Sequence, residues 1–175
     1  VTLLPFIAGD LINLGAVGET VLNTLELSAA EVALITAANL VVGNVASGAI
    51  TVSAGITTTG ATNVTLTTAI NNNISFSGAA AQLNASGGNV TLVTDATGVG
   101  GIVSGGAATD VVANLLTVTA GQGDIGGAGN PLSFDATTLV TTTGLNGLQF
   151  LSEANTVNWN TSTATNANSI ALEGG

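Results

Sequence analysis

Asp124 and Asp135 flank one glycine-rich corner of the chain and are its nearest approach to an acid–base pair. Two carboxylates on either side of a glycosidic bond can act as general acid and general base, and carboxylates with loop carbonyls can hold calcium. The plainer reading makes both solvated turn residues, with Asp124 shaping a glycine turn. No Asp-x-Asp pair occurs, and Gly121-Gln122-Gly123-Asp124 is only a fragment of the Gly-Gly-x-Gly-x-Asp calcium loop. No cofactor is expected; calcium at Asp124 and Asp135 is the metal alternative. Other chemistry meets a harder obstacle: none of the 175 residues is Lys, Arg, His or Cys. Nucleophilic triads need a His or Lys base, Schiff bases need Lys, and zinc sites usually need His or Cys. The chain therefore reads as non-catalytic.

The same absence bears on partners. Ten Asp and Glu residues give a net charge of −10 with no basic side chain to offset it. Without cations the chain cannot neutralise phosphates or grip a carboxylate with a guanidinium fork, so nucleic acid and anionic membranes are excluded as partners. Side-chain salt bridges are excluded too, which leaves apolar burial and hydrogen bonding to hold the fold. The longest apolar stretch, Val32 to Val42, is interrupted by Thr36 and Asn39 and is too short to span a bilayer. A chain lacking tryptic sites and oxidisable sulfur suits an exterior location, secreted or at the cell surface.

The elements that would position any site follow from a repeat. Leu40-Val41-Val42, Val64-Thr65-Leu66, Val90-Thr91-Leu92, Leu115 to Val118 and Leu139-Val140 recur roughly 24 to 26 residues apart. A second series keeps step with the first: Ile50-Thr51-Val52, Ile74-Ser75-Phe76, Ile102-Val103, Ile125 and Leu148 to Leu151. A third, looser one runs through Ile56, Leu83, Val111-Val112, Leu132 to Phe134 and Val157 to Trp159. Three short alternating strands per coil of about 25 residues predict an all-β fold, a right-handed parallel β-helix. The alternative is a β-sandwich. Corners fall at Gly43-Asn44, Gly60, Asn71 to Asn73, Gly105-Gly106, Gly121 to Gly129 and Asn146-Gly147, residues that tolerate positive φ or form side-chain turns.

Residues 1–24 depart from the period and read as an apolar leader, edge strand or interchain arm ahead of a β-helical domain over 25–175. Ser28-Ala29-Ala30-Glu31 has the form of a capping box, which predicts a helical turn from about Ala29 to Ala37; a strand corner is the other reading. The last coils expose strand edges unless they are capped, continued or stacked. Leu3, Leu4, Phe6 and Ile7 at one end, and Ile170 and Leu172 at the other, are the candidate assembly residues.

Leu27 to Gly43, then Ser47-Gly48-Ala49-Ile50-Thr51-Val52, and again Gly123 to Leu132, resemble the repeats of large filamentous-haemagglutinin-like bacterial exoproteins. That resemblance implies a right-handed β-helix, secreted or on the cell surface, often in an adhesin. The expectation is a non-catalytic structural unit of a surface fibre, sheath or large adhesin that self-associates into filaments or continues a larger chain. The alternative is a module binding a polysaccharide or host surface, with Asn158 and Trp159 as its ligand face. The Thr-x-Thr triplets at Thr57 to Thr59, Thr65 to Thr67, Thr117 to Thr119, Thr141 to Thr143 and Thr161 to Thr163 add an ice-binding solenoid as a further alternative.

Overall fold

The computed structural model describes residues 1–18, 21–60, 62–85 and 87–155 in full, and the backbone of 158–164 and 170–174. In chain order the elements are β1 (Thr2–Leu3), β2 (Leu11–Leu14), β3 (Thr24–Leu27), α1 (Ala29–Ala33), β4 (Asn39–Val42), β5 (Ile50–Val52), β6 (Gly55–Thr57), β7 (Asn63–Thr67) and β8 (Ile74–Phe76). They continue with β9 (Gln82–Ala85), β10 (Val90–Val93), β11 (Ile102–Val103), β12 (Val111–Ala120), β13 (Leu132–Thr143), β14 (Gln149–Glu153), β15 (Asn158–Ala164) and β16 (Ile170–Gly174). Pairing between these strands is parallel, and the strands stack as a β-solenoid of about 4 turns spaced about 24 residues apart.

Three faces result. Face 1 stacks β1, β4, β7, β10, the second half of β12, the second half of β13, and β15. Face 2 stacks β3, β2, β5, β8 and β11, then Ile125 and the start of β14. Face 3 stacks β6, β9, the first half of β12, the first half of β13, and the end of β14.

Period-2 alternation turns every second side chain inward, where equivalent residues of successive coils pile into ladders. Leu40, Val64, Val90, Leu116 and Leu139 form one on face 1; Ile12, Ile50, Ile74, Ile102 and Ile125 form one on face 2. Ile56, Leu83, Val111 and Phe134 form the ladder of face 3. Every one of these side chains is at most 2% exposed, and burial of such a side chain contributes about 1.5–3 kcal/mol. Small branched residues suffice because the interior between three strands is narrow, and Phe76 and Phe134 are its largest members.

The first sequence series coincides with face 1 throughout, and the second with face 2 as far as Gln149, Leu151 pairing with Leu132 on face 3. The third matches face 3 as far as Phe134 and then fails. Asn158 and Trp159 pair with Thr138 and Leu139 on face 1, while Glu153 of β14 takes the place beside Phe134. The reason is that β14 alone covers both positions: Gln149 bridges to Ile125 on face 2, and Leu151 to Glu153 pair on face 3. Among the described residues no separate strand serves the third face of that coil.

Corners follow the chain's turn residues. Asn71 and Asn146 take φ of 63° and 69°, and Gly43, Gly60, Gly106 and Gly126 are likewise left-handed. At Gly121 conformation is secondary to space: a Cβ there would collide with the carbonyl oxygens of Asp95 and Gly98 in the coil beneath.

Residues 1–24 supply β1, an edge strand of face 1, and β2, which lies between β3 and β5. The capping box forms as expected, with Glu31 N–H donating to Ser28 Oγ at 3.2 Å and Ser28 N–H donating to the Glu31 carboxylate at 2.8 Å. The helix is shorter than the anticipated 29–37, ending at Ala33; it packs against β6 and buries Val32.

Candidate functional site

Asp124 and Asp135 do not converge. Asp124 precedes Ile125 on face 2 and is exposed, whereas Asp135 lies in the face 3 half of β13 and is half-buried. The Asp124 carboxylate accepts the N–H of Leu148, in the next coil, at 2.7 Å. Asp135 lies beside Glu153, whose carboxyl is pushed above the ordinary range by burial first and by the Asp135 charge to a lesser degree. Among the described residues no three acidic side chains gather as a metal centre would require.

The hydrogen bond from Leu148 to Asp124 is one case of a rule that runs the length of the solenoid. Asn63 Oδ1 accepts from Asn89 N–H at 3.0 Å, Asn73 Oδ1 from Gly101 N–H at 2.9 Å, and Asp110 Oδ2 from Ser133 N–H at 2.9 Å. Each acceptor opens a strand or stands just before one or, for Asp124, before the bridge at Ile125, and each donor occupies a corner or strand start one coil later. Asn63 also donates Nδ2–H to Asn39 Oδ1 at 3.1 Å, which begins an asparagine ladder along one margin of face 1. Such bonds tie neighbouring coils at corners where the backbone ladder is interrupted. The sequence signal was present as an Asn or Asp directly ahead of Leu40, Val64, Val90, Ile74, Val111 and Ile125. The spacing of the apolar residues alone does not display this polar series.

A second group was not anticipated. The interior ladders turn polar in the later coils: Thr141 follows Val118, Thr143 follows Ala120, Gln149 follows Ile125 and Glu153 follows Phe134. These four side chains are almost wholly buried. Thr141 Oγ1–H donates to Gln149 Oε1 at 2.6 Å, and Gln149 Nε2–H donates to Thr143 Oγ1 at 3.2 Å, so the amide spans the interior from face 2 to face 1. Asp110 is fully buried beside Ser104, and burial raises its carboxyl; its Oδ1 has no hydrogen-bond partner, nor does Glu153 Oε2.

The candidate assembly residues divide. Leu3 packs partly against the core, while Leu4, Phe6 and Ile7 are exposed, Phe6 completely. Pro5, Phe6, Ile7, Asp10, Asn23 and Leu25 line a cavity of about 270 Å³ beside edge strand β3. Val17 and Leu22 add to this apolar end. Ile170 and Leu172 lie in β16, and Asn158 and Trp159 in β15; their side chains are outside the described residues. The N-terminal ammonium of Val1 donates to the carbonyl of Asn39 at 2.8 Å. Among the described residues no helix is long and apolar enough to cross a membrane.

What this arrangement can do is bind coil to coil. Compared with protein-family models, with curated proteins and with solved structures, the chain returns no match.

Proposed function

We propose that the chain is a non-catalytic structural protein of the extracellular space or cell surface: a β-solenoid unit of a fibre, sheath or large adhesin, stacked end to end. The observation that carries this reading is the end of the solenoid formed by β1, β3 and α1. Edge strands there lie among exposed apolar side chains, Leu4, Phe6, Ile7, Val17 and Leu22, which further coils in register would cover. A head-to-tail contact of this kind does not close on itself and propagates a filament. The charge of −10 keeps neighbouring rods apart except where their surfaces match. Corner carboxylates engaged in coil-to-coil hydrogen bonds suit a structural part better than an acid–base pair. The likeness of 27–43 to filamentous-haemagglutinin-like repeats supports the same placement through architecture.

Electron microscopy of the native material tests the proposal. Filaments with a layer line near roughly 4.8 Å are expected, shortened or lost in Phe6→Asp with Ile7→Asp. A chain that stays monomeric across concentration, salt and calcium overturns it.

A further inference from the structure

Face 1 is set apart by charge. Among the described acidic residues none lies in a face 1 strand; those placed in strands are on faces 2 and 3 or in β16, and the others are in corners, loops and α1. Its outward positions form ranks instead. Thr65, Thr91, Thr117 and Val140 stack in one, Thr67, Val93, Thr119 and Thr142 in the next, and Asn39, Asn63 and Asn89 along the margin.

On a chain whose side chains carry only negative charge, a like-charged copy can approach most closely where the carboxylates are missing. We propose that face 1 pairs laterally with face 1 of a second copy of this chain, the threonine and valine ranks of the two interdigitating as a dry zipper. Three features select this occupant. The ranks repeat at the strand spacing of about 4.8 Å, a period that another solenoid of the same kind matches along its whole length. Short β-branched side chains at uniform height interlock with little loss of rotamer freedom. The described side chains of face 1 include no aromatic ring on which a neutral sugar would stack.

The face measures about 29 Å along the stack and about 16 Å across, roughly 450 Å² per copy and so below the area of most stable dimers. Single units should accordingly pair weakly, and rods built of several units should pair firmly because the contacts act together. Lateral pairing does not depend on the end-to-end contact.

Sedimentation from about 10 μM to about 1 mM tests it on the isolated chain. Wild type should dimerise with concentration, more strongly in added salt, which screens the remaining carboxylates. Thr91→Glu with Thr117→Glu should weaken dimerisation about tenfold or more, and Thr51→Glu with Ser75→Glu on face 2 should not. If the first double variant fails to fold, Thr119→Glu alone puts one charge in the second rank. Wild type that stays monomeric, including one that binds a neutral polysaccharide instead, overturns the proposal; so does a face 1 variant that dimerises as wild type does. Microscopy separates this contact from the axial one. Long rods that never lie side by side refute lateral pairing alone, and paired short particles without rods refute end-to-end stacking alone.

Discussion

Acid should stabilise this protein, and Asp110→Asn should remove part of that effect. Asp110 is fully buried, accepts from Ser133 N–H through one oxygen, and has no partner for the other. Burial therefore holds its carboxyl above the ordinary range, with the bonds from Ser133 and Ser104 opposing. A group whose folded pKa is raised stabilises fully below its unfolded pKa, near 4, and that contribution is lost as pH rises through the folded value. Glu153 has the same sign, from burial and then from Asp135. At neutral pH the unpartnered buried oxygen of Asp110 costs about 1–3 kcal/mol. Asparagine at 110 keeps an acceptor for Ser133 N–H and carries no charge. It should raise Tm at pH 7.5 by about 2–12 °C, using about 2–4 °C per kcal/mol for a chain of this size, and the gain should shrink by pH 4 as wild-type Asp110 takes up its proton. Thermal melts followed by circular dichroism at both pH values read this directly. Asp95 is the control of opposite sign: hydrogen bonds from Thr97 hold its carboxyl below the ordinary range, so its contribution is lost as pH falls. Asp95→Asn should leave the acid stabilisation in place. The reasoning is refuted if wild type melts higher at pH 7.5 than at pH 4, or if Asp110→Asn destabilises equally at both.

Ile74→Ala, in the middle of the isoleucine ladder, should cost about 2–5 kcal/mol in urea unfolding, and Thr91→Ala, pointing outward from the following coil, under about 0.5 kcal/mol. Gly121→Ala should lower stability by about 1–3 kcal/mol, because its Cβ meets backbone oxygens that cannot swing aside; a neutral result would show that the corner opens freely. Ser28→Ala removes the acceptor for Glu31 N–H and should cost about 1 kcal/mol in the same assay.

The ladders were legible because a solenoid writes its three-dimensional contacts into a one-dimensional period. Leu40, Val64 and Val90 are neighbours in space for the same reason that they recur in sequence. Legibility stops where the period changes. β12 runs unbroken from face 3 to face 1, so Val111-Val112 and Leu115 to Val118 look like two strands and form one. β14 covers parts of two faces, and spacing alone therefore carried Asn158 and Trp159 to the wrong face. The corner hydrogen bonds escaped for another cause. Asn73 and Asp124 each look like ordinary turn residues in their own coil, and only the neighbouring coil, which puts Gly101 N–H and Leu148 N–H above them, reveals them as acceptors. Asn63 and Asn73, each in an Asn-x-Ser/Thr sequon, likewise accept through Oδ1 from the neighbouring coil.

The polar interior of the later coils connects the packing to the proposed assembly. An aliphatic ladder has no preferred register beyond that of its backbone bonds, since one Ile stacks on another equally well at any level. Thr141, Gln149 and Thr143 are different: they belong to one coil, where the amide must meet hydroxyls on the opposite face, and a slip of the Gln149 strand against the threonine strand within that coil would break both bonds at a cost of about 1–3 kcal/mol. A single polar layer in an otherwise apolar stack can therefore specify how its own coil closes while adding little to stability, as a buried Asn specifies register in coiled coils. The two functions separate along the solenoid axis, with aliphatic coils supplying cohesion and the Thr141–Gln149–Thr143 layer fixing how the strands of its own coil face one another. A rod made of repeated units needs both, because a unit offers a matching end only if its own coils close in register: a face 1 strand that slipped by one residue within its coil would turn its threonine ranks inward and its leucines and valines into water.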